Sequence, residues 1–214
     1  MQTVFEGAIA GLLWRPCHDP FVVMRLFIGV ELADHLKTAA ATAAARLRER
    51  LAREAPKVRV RWVEPDNLHI TLWFLGEMSE PDAEALVTAL EQSLGAPRFT
   101  LRVGGAGAFP EHGPPRALWL GLTTGREALQ TIYERLTRVL QPLGHEPEKR
   151  PFAPHLTIAR VKDAPRSDAV ALRRIVRDVR TDVGECDVRH VTLFRSHLSP
   201  KGSQYEQVLR VPLD

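Results

Sequence analysis

The chain has few cysteines and no long apolar run, and each shortage excludes a class of protein. Its 214 residues include two cysteines, Cys17 and Cys186. Two cysteines cannot form a disulfide framework, and these two lack the spacing of a metal-binding cluster. We therefore expect a reducing, cytoplasmic location. No apolar stretch approaches the roughly 20 residues that a membrane-spanning helix needs, so no membrane partner is expected.

The chain also lacks a large excess of positive or negative charge. The formal net charge is +3, with 26% charged and 44% hydrophobic residues, which are ordinary values for a soluble globular protein. The positive excess is weak support for a nucleic-acid partner. No zinc-helix spacing and no carboxylate cluster occur, so we predict neither a metal nor another cofactor. The glycine-rich run 104–107 lacks the Lys-Ser/Thr ending of a phosphate loop and is predicted to be a flexible surface loop.

One four-residue pattern, His-apolar-Thr-apolar, occurs at two distant sites. The copies are His69-Ile70-Thr71-Leu72 and His155-Leu156-Thr157-Ile158, and each lies in an apolar run typical of a β-strand. Side chains alternate between the faces of a strand, so the His and Thr of one copy point the same way. Two such pairs facing one cleft would provide two proton-transfer groups and two hydroxyl donors. That set can split a phosphodiester without a metal.

A third match, His190-Val191-Thr192-Leu193, shows that the pattern alone is not sufficient. The first two copies follow turns that contain Pro65 and Pro154 and precede helical segments, whereas the third runs into a polar turn. We therefore interpret His69 and His155 as the functional pair and His190 as an ordinary strand histidine.

Hydrophobic periodicity predicts alternating strands and helices from Met24 onward. Ser79 with Asp82 is expected to cap one helix, and Thr124 with Glu127 to form a capping box for another. Residues 1–23 are predicted to be a flexible leader, or alternatively an element packed on the core, and residues 24–214 a single domain. The predicted strands cover residues 26–32, 58–63, 68–75, 99–103, 118–122, 155–161, 188–194 and 205–211, and the four helices centre on residues 36–51, 86–94, 129–139 and 172–176.

The two motifs and their surroundings resemble the 2H phosphoesterases, and within them the RNA 2',3'-cyclic phosphodiesterases, also called 2'-5' RNA ligases. The likeness covers roughly residues 24–212. The two motif regions that carry it are Arg61-Trp62-Val63 with Asn67 to Leu72 and Phe74-Leu75-Gly76-Glu77, and Phe152 to Arg160. In addition, Met24 to Leu32 resembles the start of those proteins, and Leu193 to Gly202 with Tyr205 resembles their C-terminal strand and turn.

This resemblance implies an α+β fold of two pseudo-symmetric lobes, each an antiparallel sheet with outer helices, with the active cleft between them. It implies hydrolysis of RNA 2',3'-cyclic phosphate ends to 2'-phosphates, with His69 as proton donor and His155 as acceptor. Thr71 and Thr157 would stabilise the transition-state charge, and Arg160 would bind the phosphate. From the residues alone, the two histidines cannot be assigned to acid and base.

The expected partners are RNA with 2',3'-cyclic phosphate ends or cyclic nucleotides, and the expected assembly is a monomer. Reverse 2'-5' ligation would use the same groups. Two other functions remain open: a 2'-5' oligonucleotide phosphodiesterase, and a non-catalytic module that binds RNA ends. Two titrating groups argue against simple binding. Counted along the chain without irregularities, Arg160 falls on the strand face opposite His155, where it could also be a solvated strand-end residue.

Overall fold

The computed structural model describes residues 23–179, 181–199 and 202–214, and within these ranges the chain forms nine strands and four α-helices. Apart from its last residue, Val23, the predicted leader lies outside the described residues, as does Cys17. The elements are β1 (Val23–Glu31), α1 (Asp34–Glu54), β2 (Arg59–Trp62), β3 (His69–Ser79), α2 (Glu80–Ser93), β4 (Phe99–Phe109), β5 (Ala117–Thr124), α3 (Arg126–Leu140), β6 (Leu156–Asp163), α4 (Arg166–Asp178), β7 (Asp182–Val188), β8 (His190–Ser199) and β9 (Gly202–Pro212).

The strands form one curled antiparallel sheet in the order β7-β4-β5-β6-β3-β1-β8-β9, with β2 paired to β6. Its centre is its weakest junction, because β3 and β6 share the single pair Ile70–Leu156. These two residues are the second positions of the two motifs. The sheet therefore opens on either side of the point where the motifs meet, and each half forms a lobe.

Each lobe carries two helices. Helices α2 and α3 contact each other and β3, and so belong to the lobe of β1, β3, β8 and β9. Helices α1 and α4 contact each other and pack on β7 and β4 respectively, in the lobe of β4 to β7. The predicted α+β class with a bilobal sheet is confirmed.

The helices form because their apolar residues recur at helical spacing. In α1 the buried face comprises Leu36, Ala40, Ala43, Leu47 and Leu51, the residues that the sequence pattern predicts. At the start of α2, the predicted cap is confirmed: the Asp82 backbone N–H donates to Ser79 Oγ at 3.3 Å.

Two local predictions are wrong, and one strand is missing from the prediction. The capping box at Thr124 is absent: Gly125 precedes α3 with φ of +88°, and a Cβ there would lie 2.9 Å from the Thr100 carbonyl oxygen. The expected loop 104–107 is part of β4, where Gly107 lies under the Trp119 ring on the neighbouring strand. Strand β7 was not predicted as a separate strand, because its sequence lacks a clear apolar alternation.

Candidate active site

The two motifs line a single cleft between the lobes, with a volume of about 760 Å³. Its walls include His69 and Thr71 from β3, His155 immediately before β6, and Thr157 and Arg160 from β6. The Ile70–Leu156 pair brings the motifs together, because the residues on either side of it in both strands then face the cleft. The structure thus assembles all five residues that the sequence predicts for the site.

Hydrogen bonds fix the tautomer and direction of the His69 ring. His69 Nδ1 lies 2.7 Å from the Asn67 carbonyl oxygen, which can only accept, so Nδ1 carries a proton. His69 Nε2 lies 3.0 Å from Thr71 Oγ1. In the neutral ring Nε2 is therefore an acceptor, and it is the atom available for proton transfer in the cleft.

His155 repeats this arrangement in the other lobe. Its Nδ1 donates to the carbonyl oxygen of Ala153, again two residues earlier, at 2.7 Å. Its Nε2 is thereby left unprotonated in the neutral ring. The same backbone contact in both motifs prepares two imidazoles with their Nε2 atoms as the reactive positions.

Aromatic neighbours restrict both imidazole rings. The ring centroid of His69 lies 4.8 Å from that of Phe27 and 5.1 Å from that of Tyr205, which meets it edge-on. The His155 ring meets Phe109 edge-on with a centroid distance of 4.9 Å. These contacts hold the rings in place and also reduce their hydration.

Burial lowers the pKa values of both histidines, which favours the neutral imidazole. It lowers the pKa of His69 to about 4; the hydrogen bond to Asn67 opposes the shift, and the charges of Arg160 and His155 add to it. Burial also lowers the pKa of His155, against its hydrogen bond to Ala153 and with a further lowering from Arg160. Arg160 therefore lies close enough to act electrostatically on both rings. A bound anion would raise the pKa values of both histidines.

A β-bulge brings Arg160 into the cleft. Trp119 and Leu118 of β5 pair with Thr157 and Ala159, so Ile158 is an extra residue in β6. The bulge reverses the alternation of faces beyond it. Arg160 consequently lies on the same strand face as His155. The expectation from the sequence, that Arg160 lies on the opposite face, is wrong. In the described part of the chain it forms no ion pair, leaving its guanidinium available for an anion.

The equivalent bulge occurs in β3 and directs a residue that the sequence analysis missed. Leu72 is the extra residue there, three positions after His69 just as Ile158 is three positions after His155. Phe74 therefore corresponds to Arg160 as the fifth residue after the histidine. Its side chain is 61% exposed and lines the cleft. The sequence offered one indication of this residue, because Phe74 and Arg160 each lie five positions after a motif histidine.

His190 does not line the cleft. Its Nδ1 accepts a hydrogen bond from Arg210 Nη2 at 3.2 Å, and the neighbouring Thr192 is fully buried and donates to Glu31 Oε2 at 3.3 Å. The third match to the pattern thus participates in a structural network, as its sequence context indicates.

The described residues contain neither a metal-binding cluster nor a membrane-spanning helix. Among these residues no group of three or more His, Cys, Asp or Glu side chains could hold a metal ion. In the same part of the chain no helix has the length and apolar character needed to cross a membrane.

The cleft, with one imidazole and one hydroxyl from each lobe and an arginine beside them, is suited to a phosphoesterase. A family model described as LigT like phosphoesterase matches the chain twice, over residues 36–119 and 120–205. Each match contains one of the two motifs, so each half of the chain resembles the same family model. The chain belongs to the LigT-like phosphoesterase family.

Relatives named RNA 2',3'-cyclic phosphodiesterase are similar over most of the chain. The protein of Aeropyrum pernix is 39% identical over 168 residues, which are 78% of this chain and 93% of the relative. That of Aquifex aeolicus is 32% identical over 190 residues, or 87% and 95% of the two chains.

Solved structures show the same fold. The Thermus thermophilus protein TT0787 superposes with a TM-score of 0.69 at 32% identity, covering 88% of this chain and 97% of its own. The E. coli LigT complex with 3'-AMP gives a TM-score of 0.66 at 25% identity, covering 90% and 99%.

Proposed function

We propose that the protein hydrolyses RNA 2',3'-cyclic phosphate ends to 2'-phosphates by two-histidine acid-base catalysis, without a metal or another cofactor. The observation that carries this proposal is the paired geometry of His69 and His155. Both rings bear the proton on Nδ1 and leave Nε2 unprotonated in one cleft. The relatives named RNA 2',3'-cyclic phosphodiesterase support the choice of substrate.

In this mechanism one histidine acts on water and the other on the leaving oxygen. His155 Nε2 takes a proton from the attacking water, whose oxygen forms a bond to phosphorus. The bond between phosphorus and the ribose 3'-oxygen breaks, and His69 Nε2 donates a proton to that oxygen. The phosphate stays on the 2'-oxygen. The histidines belong on opposite sides of phosphorus, because attack and departure are in line.

Hydroxyls and a guanidinium would stabilise the phosphate. Thr71 and Thr157 donate to its non-bridging oxygens, where negative charge grows in the transition state. Arg160 supplies a planar fork suited to phosphate and is already unpaired within the described part of the chain. Its positive charge lies beside both histidines, and no carboxylate of the described residues pairs with it, an arrangement that favours an anionic substrate.

Because the pKa of His69 is lowered, this ring takes up the proton that it donates when the substrate binds. A His69 pKa of about 4 makes this ring almost entirely neutral at pH 7 in the free enzyme. The negative charge of the cyclic phosphate, placed beside the ring, raises its pKa and offsets the effect of Arg160. Substrate binding and proton uptake by His69 are therefore coupled.

The ribose and base complete the substrate. The 2'-oxygen belongs to the reacting ring, so DNA ends cannot react. The exposed ring of Phe74 offers a stacking surface for a nucleobase beside the cleft centre. By microscopic reversibility the same groups can join a 5'-hydroxyl to a cyclic end, which is 2'-5' ligation.

The proposal also covers the domain organisation, the oligomeric state and the location of the protein. Residues 24–214 constitute one catalytic domain, and both lobes of a single chain supply the site, so a monomer is sufficient for activity. The protein acts on RNA in the cytoplasm. Sedimentation of the active enzyme tests whether the monomer is sufficient for activity. Activity confined to a dimer fraction would contradict this.

Product analysis tests the function. Adenosine 2',3'-cyclic phosphate should give adenosine 2'-phosphate, resolved from the 3'-isomer by chromatography. His69→Ala and His155→Ala should each lower turnover by about 10²–10⁴-fold, while His190→Ala, outside the cleft, serves as the matched control. Absence of turnover in the wild type, or an equal loss in the His190 variant, would refute the proposal.

A further inference from the structure

A second arginine lies directly beside Arg160. Arg61 of the short strand β2 is the Cα partner of Arg160 in the antiparallel β2–β6 pair. Directly opposed residues of such a pair project from the same face, so both guanidinium groups belong to the cleft side of the sheet. Both residues are exposed.

The Arg61 side chain extends to the rim of the cleft. A Cβ built on Gly202, at the start of β9, would lie only 2.8 Å from Arg61 Nη2. The guanidinium therefore packs against the Gly202 backbone. The next residue, Ser203, lines the cleft and accepts a hydrogen bond from Asn67 Nδ2 through its carbonyl oxygen at 2.7 Å. Arg61 thus stands just outside the catalytic centre.

Opposed arginines on neighbouring strands repel each other, and this pair has no counter-ion among the residues that the structure describes. Like charges directly across a sheet are destabilising. Arg59, two residues earlier on β2, is compensated by Asp163, with Nη2 and Oδ2 3.1 Å apart. Within the described ranges, by contrast, neither Arg61 nor Arg160 forms an ion pair. The pair therefore presents two adjacent positive groups to an external anion.

The charges of the cleft differ between its two ends. The antiparallel strands β3 and β6 pair near their starts and run in opposite directions from there. Strand β3 therefore leads to Phe74 at one end of the cleft, and β6 leads to Arg160 at the other end. The carboxylates that line the cleft among the described residues, Glu146 and Glu148, belong to the loop that enters β6 from the side opposite Arg160. Glu148 acts electrostatically on Tyr133, whose ring stacks on Trp73 beside Phe74. No carboxylate among the described residues lines the Arg160 end, so a polyanion is favoured there.

We propose that Arg61 binds the internucleotide phosphate next to the cyclic end of an RNA substrate. Arg160 would bind the reacting phosphate and Arg61 the preceding one. This inference rests on the proposed function and defines its substrate class: RNA ends of two or more nucleotides are preferred to cyclic mononucleotides. Arginine suits this role because its fork donates two parallel hydrogen bonds to phosphate.

Steady-state kinetics on two substrates test the assignment. Adenosine 2',3'-cyclic phosphate has only the reacting phosphate, whereas the dinucleotide ApA with a 2',3'-cyclic end has one more. Arg61→Ala should raise KM for the dinucleotide about tenfold and change KM for the mononucleotide less than twofold. The dependence of log(kcat/KM) on log[salt] for the dinucleotide should become shallower by about 0.7, one single-strand phosphate contact.

Two control variants sharpen this test. Arg59→Ala removes an arginine that is exposed on the same strand but already paired, so it should leave both KM values unchanged. Arg61→Lys keeps the charge without the fork and should retain part of the preference for the dinucleotide. Thermal melts establish that the variants are folded.

The outcomes distinguish this inference from the proposed function. An equal rise of KM for both substrates would assign Arg61 to the reacting phosphate and overturn the inference. Unchanged KM values for both substrates would make Arg61 a solvated edge residue, with the same consequence. If the wild type turned over neither substrate, the proposed function itself would fail.

Discussion

Phe74 and Arg160 occupy equivalent positions in the two lobes, each five residues after a motif histidine and just beyond a β-bulge. Burial follows the same order in both segments: half-buried histidine and threonine, buried apolar residues between and after them, then an exposed fifth residue. One lobe thereby presents an aromatic ring, and the other a cation. A repeated strand geometry can thus serve two parts of one nucleotide, the base and the phosphate.

The first prediction concerns Phe74. Phe74→Ala should raise KM for adenosine 2',3'-cyclic phosphate roughly 5–100-fold, the range expected for loss of one base-aromatic stack, with a smaller effect on kcat. Phe74→Tyr should keep the KM near that of the wild type, because the ring is retained. A substrate with a 2',3'-cyclic phosphate but no base provides the control: an equal KM increase on it would show that Phe74 does not contact the base.

The pH dependence should differ between kcat/KM and kcat. The former reports the free enzyme, in which the pKa values of both histidines are lowered, so its bell should have both limbs below pH 6.5. Bound phosphate raises these pKa values, so the bell for kcat should lie at higher pH. Coincident profiles, or a kcat/KM that climbs steadily from pH 5 to 9, would contradict this coupling.

The sequence predicted much of the architecture because local patterns carry it. The heptad-like apolar face of α1 and the Ser79 cap were visible, as were the strands that hold the two motifs. His69, His155 and the two threonines could be predicted as site residues because a short motif occurs twice, and the structure places all four in one cleft. These features depend on residue type and spacing within a few positions.

The errors came from contacts made by distant residues. A bulge at Ile158 depends on how β5 pairs with β6, so the face of Arg160 could not be read by counting residues. The glycine run in β4 resembled a loop, although Gly107 is required by the Trp119 ring above it. Phe74 was overlooked as a site residue because an apolar residue in a strand is ordinarily part of the core.

Replacement of the motif threonines should affect chemistry more than binding. Thr71→Val and Thr157→Val keep the shape of the side chain and remove a hydroxyl donor to the transition-state charge. By analogy with loss of one oxyanion donor, each should lower kcat by about 10²–10³-fold. Single-turnover rates and substrate Kd measured in parallel check this; weaker binding with an unchanged chemical rate would contradict it.

Arg160→Ala should change substrate binding and also shift the pH profile. Loss of the phosphate contact raises KM for mononucleotide and dinucleotide alike. Loss of a positive charge beside both histidines raises their pKa values, so the bell for kcat/KM should move to higher pH. Arg59→Ala is the matched control. An unchanged KM together with an unmoved pH profile would identify Arg160 as a solvated residue, with Arg195 and Lys201, which lies outside the described residues, the next to test.

Replacing the leaving oxygen tests the two-histidine mechanism most directly. In a 2',3'-cyclic substrate with sulfur at the 3' position, the departing thiolate needs little protonation, so the acid becomes dispensable while the base does not. On this substrate His69→Ala should regain most of its lost rate relative to the wild type, and His155→Ala should remain impaired. Recovery by His155→Ala instead would reverse the two roles, and equal impairment of both variants on both substrates would contradict acid-base catalysis by this pair.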